Sequence, residues 1–264
     1  MNRINRRLIL LALPFVGGFM LFYLIPLIGA LRYSFVESAF DQRFVGWDNY
    51  VATLGNSYFR LSVRNTLALI ALGVPVLVVA AFCFALLVKE RSDRLPVLRA
   101  ALMLPMLLPS SAVANVFAAL RFDDPRVALI MIYVWKNVGF IMFILLAAMS
   151  MISRDVYEAA ALDGAGRVRV LFGITLPLIS GAMLFAAILA TAYNLRLFRE
   201  AYLMFGAYPD DRLYLTQHYM NNHFYKLNYQ RLTTASTLFL IVLSAFVWSG
   251  VRIVARISGG CDEI

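Results

Sequence analysis

One stretch decides the fold: Val127–Ile152 reads VALIMIYVWKNVGFIMFILLAAMSMI. Its side chains are overwhelmingly apolar, and Lys136 is the only charged one. A transmembrane α-helix needs about 20 consecutive apolar residues, whereas a membrane β-strand is about half as long and alternates apolar with polar side chains. Because a helix closes its backbone hydrogen bonds internally, this run predicts a membrane-spanning α-helix.

Five further apolar runs have the same character, which predicts an all-α, polytopic membrane protein with six transmembrane helices. The six predicted spans are Leu8–Leu31, Thr66–Val88, Val97–Leu120, Val127–Ile152, Leu178–Leu195 and Leu232–Val251. Pro105 and Pro109 lie inside the third span and predict a kink there. We expect residues 1–264 to form a single transmembrane domain.

The first run follows three arginines, as the apolar region of a secretory signal peptide would. Such a region holds about 7–15 residues, and Leu8–Leu31 is longer and has no obvious small-residue cleavage site. We therefore expect this run to be retained as a membrane helix.

Composition supports the membrane assignment and argues against nucleic-acid binding. Hydrophobic residues make up 62% of the 264 residues, whereas about 45–50% is usual for a soluble domain. The net charge is +9, but the basic residues lie in short segments between apolar runs, where they set topology and meet anionic lipid headgroups. The placement of Cys83 and Cys261 suggests no disulfide, and the spacing of His218 and His223 does not favour a zinc site.

Basic residues also indicate the orientation. If the N-terminus is cytoplasmic, six spans place the C-terminus in the cytoplasm too. The inner segments are then denser in basic residues than the outer ones, which supports this orientation. The inner basic residues are Arg3, Arg6, Arg7, Lys89, Arg91, Arg94, Arg99, Arg154, Arg167, Arg169, Arg252 and Arg256.

The segment between the fourth and fifth spans has a structure of its own. Residues 158–177 read EAAALDGAGRVRVLFGITLP. The Glu-Ala-rich start favours a helix, and Asp163-Gly164 is a turn signal because glycine adopts the left-handed conformation that ends helices. A second short helix is expected from Arg167 to Thr175, and Pro177 fits the first turn of the fifth span. We predict a helix–turn–helix at the membrane surface.

This segment resembles the EAA loop of binding-protein-dependent ABC importer permeases. It fits every fixed position of that pattern, and its Asp163-Gly164-Ala165 triplet is similar to the common form in the family. Stretches 63–66, 135–163 and 198–202 resemble the sugar-permease branch, so the likeness covers most of the chain, although the connection 121–126 is shorter than in that branch. The residues at the fixed positions are Glu158, Ala159, Ala160, Gly164, Ile174, Leu176 and Pro177.

The resemblance implies a function and partners. The loop would be a cytoplasmic coupling helix seated in a cleft of a separate ABC ATPase, with Glu158 and Ala160 in contact, Gly164 as the turn and Pro177 as the joint to the fifth span. This chain would hydrolyse nothing and bind no cofactor, since ATP and Mg²⁺ belong to the ATPase. A second homologous permease and an extracytoplasmic solute-binding protein would complete a carbohydrate importer in a bacterial inner membrane.

Four polar residues in or near the spans are candidates for the solute path: Asn115, Lys136, Tyr193 and Asn194. A charge inside the membrane is costly and by default faces a pathway or a partner. Lys136 can instead extend to the outer interface, and the other three can hydrogen-bond between helices.

Two other functions compete with the importer. A secondary transporter or channel would carry acidic residues within the spans or inverted repeats, and the predicted spans contain neither Asp nor Glu. An intramembrane enzyme would need a catalytic set within the spans, whereas both histidines lie in the segment 196–231.

Overall fold

The computed structural model describes residues 12–38, 40–90, 96–120 and 122–259. Some residues of the sequence argument lie outside these ranges: 8–11 of the first span, Arg3, Arg6, Arg7, Arg91, Arg94, Arg121 and Cys261. The described residues are mostly helical, and their only β pairing is an isolated antiparallel bridge between Val36 and Phe44. The all-α prediction is confirmed.

The helices of the described residues are numbered in chain order. They are α1 Ala12–Tyr33, α2 Asp48–Gly55, α3 Ser57–Glu90, α4 Pro96–Leu107, α5 Ser110–Ala119, α6 Pro125–Ser150, α7 Arg154–Leu162, α8 Arg167–Val170, α9 Ser180–Arg196, α10 Phe198–Phe205, α11 Thr216–Tyr225 and α12 Tyr229–Gly259. Helix α1 contains a π-helical turn at Met20–Leu24.

Within the described ranges, five helical stretches are long and apolar enough to cross a membrane: α1, α3, α6, α9 with α10, and α12. The pair α4 and α5 would be a sixth span if it is counted as one. The polytopic prediction is thus confirmed, with six spans when the bent pair is included.

The third predicted span is broken rather than kinked. Helices α4 and α5 meet at an angle of 97°. Pro109 lies at the break with an extended backbone, φ −64° and ψ 141°. A proline has no N–H to donate and disfavours helical backbone in the residue before it, so α4 ends and α5 starts afresh at Ser110.

The fifth span is longer than predicted. Only Leu197 separates α9 from α10, and the two together form the membrane-length stretch Ser180–Phe205. The apolar run ends at Leu195, but the helical path continues and carries Glu200 into the span. The expectation that no acidic residue lies within the spans is therefore wrong.

The chain divides into two compact units, Met1–Arg60 with Tyr219–Val242, and Leu61–His218 with Leu243–Ile264. The core of the larger unit is an apolar cluster on α3, α6 and α9, whose fully buried side chains include Leu77, Ile132, Ile141 and Leu145. The prediction of a single domain stays a prediction.

In the smaller unit, aromatic side chains fix the polar stretch that follows α1. The hydroxyls of Ser34 and Tyr50 share a hydrogen bond of 2.6 Å. The Phe35 ring packs edge-on against Trp47, with centroids 5.3 Å apart. Asn49 donates from Nδ2 to the carbonyls of Ser34 and Val36. Side chains thus satisfy the backbone where no regular ladder exists.

Helices α4 and α6 approach each other at backbone distance. A Cβ added to Gly139 on α6 would lie 2.0 Å from the carbonyl oxygen of Leu102 on α4. No side chain fits into that space. Gly139 therefore sets the spacing of these two helices, as small residues do in membrane bundles.

Candidate coupling loop and polar cavity

The predicted helix–turn–helix between the fourth and fifth spans is present, and its turn has a specific form. Helix α7 ends at Leu162, and Gly164 follows with φ +70°. The N–H of Gly164 donates to the carbonyl of Ala161 at 3.0 Å, and the N–H of Ala165 donates to that of Ala160 at 2.9 Å. These two bonds form a Schellman motif, which requires the left-handed residue that glycine supplies.

The exposed face of α7 includes part of the predicted contact surface. Glu158 and Ala159 are exposed, as a docking surface requires. Ala160 is buried, with 7% of its surface accessible, and its contact with a partner stays a prediction. Leu162, the last residue of α7, is 89% exposed.

The second half of the loop leads into the fifth span through irregular helix. Helix α8 passes into a π-helical turn, Leu171–Thr175, and then into the short helical segment Leu176–Leu178. Pro177 lies in the first turn of that segment, and Ile179 alone separates the segment from α9. Ile174, Leu176 and Pro177 are half-buried, so their side chains pack against the rest of the protein and form little of the exposed surface of the loop. The exposed Asp163 caps α7.

A polar contact ties the first helix of the loop to two other segments. Lys89, near the end of α3, donates to the hydroxyl of Tyr157 on α7 at 2.9 Å, and its Nζ lies 4.3 Å from the centre of that ring. The same hydroxyl lies 3.3 Å from Oγ1 of Thr175. Sequence reasoning missed Tyr157, because no local pattern shows what a tyrosine contacts 68 residues away.

The second candidate site is a cavity of about 270 Å³ at the break between α4 and α5. Of the four residues predicted for the solute path, Lys136 and Tyr193 line it. Asn115 is exposed elsewhere on α5. The remaining lining residues come from α6, from the junction of α9 with α10 and from the break itself; they include Pro109, Ser110, Asn137, Arg196, Arg199 and Glu200.

Lys136 is paired inside the cavity. Its Nζ lies 2.5 Å from Oε1 of Glu200, with the lysine side chain 15% and the glutamate side chain 4% exposed. The alternative in which Lys136 extends alone to the interface is therefore wrong. Glu200 was missed because the apolar run ends before it.

Asn194 holds helices together rather than lining the cavity. It is buried, with 3% of its surface exposed. Its Nδ2 donates to the carbonyl of Leu69 on α3 at 3.4 Å. The neighbouring Tyr133 donates from its hydroxyl to the carbonyl of Ala190 at 2.7 Å. These contacts join α3, α6 and α9, which is the helix-to-helix role that polar groups often take in membranes.

The two histidines of α11 serve packing. Nδ1 of His218 accepts a hydrogen bond from the N–H of Leu215 at 3.2 Å, and its ring lies edge-on to Phe198. Burial lowers the pKa of His218 to about 4, so its imidazole is neutral at pH 7. Within the part of the chain that the structure describes, no three metal-ligating side chains cluster.

Comparison with known proteins assigns the family. Residues 50–258 match the binding-protein-dependent transport system inner membrane components. The chain belongs to this family. The match takes in the cavity, the coupling loop and every described membrane-length helix except α1.

Relatives of this permease serve sugar transport systems. It is 28% identical over 198 residues to the sulfoquinovosyl glycerol transport system permease protein SmoG of Agrobacterium fabrum, covering 66% of the chain and 64% of that protein. It is also 28% identical over 227 residues to the trehalose/maltose transport system permease protein MalF of Thermococcus litoralis, covering 76% of this chain and 77% of that protein.

Solved structures share the fold of the permease. A bacterial ABC transporter involved in the import of the acidic polysaccharide alginate superposes with a TM-score of 0.79 at 23% identity, covering 97% of this chain and 98% of that one. The structure of a bacterial alginate ABC transporter in complex with an alginate pentasaccharide-bound periplasmic protein superposes with a TM-score of 0.78 at 22% identity.

Proposed function

We propose that this permease forms one half of the translocation path of an ATP-driven carbohydrate importer and that its coupling loop docks on a separate ATPase. Two ABC ATPase subunits, a second homologous permease and an extracytoplasmic solute-binding protein complete the assembly. ATP and Mg²⁺ bind to the ATPase. The chain lies in a bacterial inner membrane with both termini in the cytoplasm.

The observation that carries the proposal is the exposed apolar surface of the coupling loop. Leu162 is 89% exposed, Val168 70% and Phe172 64%. The three side chains follow one another along a loop that also exposes Glu158. Val168 and Phe172 line one open hollow on the loop, and large apolar side chains exposed side by side mark a protein interaction surface. A cleft in a partner ATPase would cover them.

The contacts of the loop supply a path for movement. When two ATPases close on ATP, a docked α7 is carried with them as a rigid body. Tyr157 links α7 to Lys89 at the end of α3 and to Thr175 before α9. The movement therefore reaches the inner ends of two membrane helices, which switch the path between inward-open and outward-open.

A carbohydrate solute is supported by the relatives and by the cavity. Both relatives above belong to sugar or glycoside transport systems. The cavity offers Asn137 and Tyr193 beside charged groups. Amide and hydroxyl groups bond sugar hydroxyls, and aromatic faces pack on sugar rings.

A secondary transporter is the second candidate, because Glu200 lies within a membrane-length stretch. Intramembrane carboxylates serve proton and sodium coupling. Here the carboxylate is held by Lys136 at 2.5 Å, which occupies it in an ion pair. This favours the importer.

The test is assembly on the predicted surface. The tagged chain is co-expressed with its ATPase and second permease and purified in detergent. Leu162→Asp places a charge on the exposed surface without disturbing the core, and Leu54→Asp on α2, where the leucine is 51% exposed, is the matched control. We expect the ATPase to co-purify with wild type and with the control and to be lost with Leu162→Asp. Absence of the ATPase from the wild-type preparation would contradict the importer proposal and favour the secondary-transporter hypothesis.

A second variant tests the turn. Gly164→Glu adds a bulky charge at a residue with φ +70°, where side chains other than glycine cost about 1–2 kcal/mol. Gly166→Glu adds the same charge two residues later at φ −70°, in open space. Loss of docking in the first variant alone would show that the shape of the turn matters, not charge near it.

A further inference from the structure

The charges around the cavity do not balance. Its lining holds three cations, Lys136, Arg196 and Arg199, and one carboxylate, Glu200. The Glu200 carboxylate already forms an ion pair with Lys136. The guanidinium of Arg196 lies over the Tyr193 ring, 5.4 Å from its centre. Among the described residues, neither arginine has an acidic partner, so the cavity carries two uncompensated positive charges.

Both arginines lie where a lipid-facing side chain is disfavoured. They belong to the stretch Ser180–Phe205, which is long and apolar enough to cross the membrane, yet both are exposed on the chain. They are three residues apart and so lie on one side of the helical path. An exposed arginine within a span faces a water-filled path or a partner because hydrocarbon does not solvate it.

The break in the third span adds to the positive potential. Helix α5 begins at Ser110, and the preceding Pro109 provides no side-chain cap. Leu108, Pro109 and Ser110 all line the cavity. The free N–H groups of a helix N-terminus carry partial positive charge and attract anions. This end of α5 therefore acts in the same direction as the two arginines.

We propose that the cavity takes an anionic carbohydrate, a solute with hydroxyl groups and a carboxylate, phosphate or sulfonate, and that Arg196 and Arg199 bind its anionic group. This inference rests on the proposed function and makes it specific. Arginine forms paired hydrogen bonds with these oxyanions. Nδ2 of Asn137 donates to the carbonyl of Tyr133 at 2.7 Å, so the amide oxygen of Asn137 and the hydroxyl of Tyr193 remain for the hydroxyl groups. The ion pair of Lys136 keeps Glu200 from repelling the anion.

The experiment uses the complete assembly in nanodiscs of zwitterionic lipid, so that no anionic headgroup competes. The probes are tetragalacturonate and its fully methyl-esterified form, together with glycerol 3-phosphate and glycerol. Within each pair the sugar or glycerol backbone is the same and the charge differs. Binding is measured as the probe-dependent rise in melting temperature, because a ligand that binds only the folded state stabilises it.

We expect the two anionic probes to raise the melting temperature and the neutral ones to leave it unchanged, with a smaller shift at high salt. Arg196→Gln and Arg199→Gln should each weaken apparent binding about tenfold, the usual effect of losing a charged hydrogen bond. Arg196→Lys keeps the charge but not the paired hydrogen bonds, so its loss should be smaller than that of Arg196→Gln but measurable. Arg60→Gln, which removes an exposed arginine outside the cavity, should behave as wild type.

Three results would overturn the inference: equal stabilisation by neutral probes, no shift with either anionic probe, or an anionic shift that survives in the arginine variants. Loss of the second permease from those variants would also overturn it, since the arginines would then pair with that subunit. ATPase association and ATP hydrolysis are measured in the same preparations. If both are intact while the probes fail, the anion inference fails alone; if no ATPase associates, the proposed function fails.

Discussion

Lys89 and Tyr157 join the C-terminal end of α3 to the candidate coupling loop by two contacts at once. The ammonium group donates to the tyrosine hydroxyl at 2.9 Å and lies 4.3 Å from the ring centre. The hydroxyl also reaches Thr175 at 3.3 Å. A single side chain of the loop thus contacts the segments that enter two different membrane helices.

Removal of the Tyr157 hydroxyl should weaken coupling without removing the docking helix. Tyr157→Phe keeps the ring under Lys89 and loses both hydrogen bonds. A bond to a charged group contributes about 1–2 kcal/mol at a partly buried site, so we expect transport per ATP hydrolysed to fall about fivefold or more. The measurement is solute uptake and ATP hydrolysis by the reconstituted assembly.

Thr175→Val is the graded comparison for this prediction. It removes only the neutral contact with the Tyr157 hydroxyl, so its effect should be the smaller of the two. Equal coupling in wild type and Tyr157→Phe would show that the hydroxyl transmits nothing.

Gly139 is predicted to tolerate no side chain. In Gly139→Ala the new methyl group would meet the backbone of Leu102, so α4 and α6 must move apart. Overpacking of this kind costs about 3 kcal/mol, which should lower the melting temperature in detergent by several degrees. Gly181→Ala on α9 is the control, since its added Cβ meets nothing within 4 Å. Matching melting temperatures for the two variants would contradict the close approach.

Much of the fold is readable from the sequence because its main signals are local. A run of apolar residues predicts a span directly, and the fixed positions of the coupling loop lie within one segment. Gly164 illustrates this well, since a turn dipeptide predicted the left-handed residue that is found at φ +70°.

The errors concern residues whose roles depend on distant neighbours. Glu200 was placed outside the fifth span because apolar composition marks where hydrocarbon contact ends, not where the helical path ends. Its partner Lys136 comes from another helix, 64 residues away. The burial of Ala160 likewise depends on how α7 packs, which local composition does not show.

The ion pair of Lys136 and Glu200 is predicted to be strongly non-additive. Lys136→Met leaves a carboxylate that is 4% exposed without its partner, which costs about 3 kcal/mol. The double variant Lys136→Met/Glu200→Gln removes both charges and should regain most of that loss. Thermal unfolding of the four proteins in detergent gives the coupling energy as a double-mutant cycle. Additive effects would mean that the two side chains do not interact.

Protonation of His218 is predicted to destabilise the protein in mild acid. Burial lowers its folded-state pKa from 6.5 to about 4, so the unfolded chain binds this proton more readily than the folded one. The contribution of the neutral His218 imidazole to the free energy of unfolding is therefore fully present above pH 6.5. It is lost as the pH falls towards 4, and the loss is about 3 kcal/mol at most. His218→Gln removes the titrating group and should flatten this part of the profile of melting temperature against pH.

His223→Gln is the comparison: the pKa of His223 is also lowered, by burial first and then by Arg231 and Lys226. It should leave the contribution of His218 in place, and parallel declines in wild type and His218→Gln would contradict the assignment.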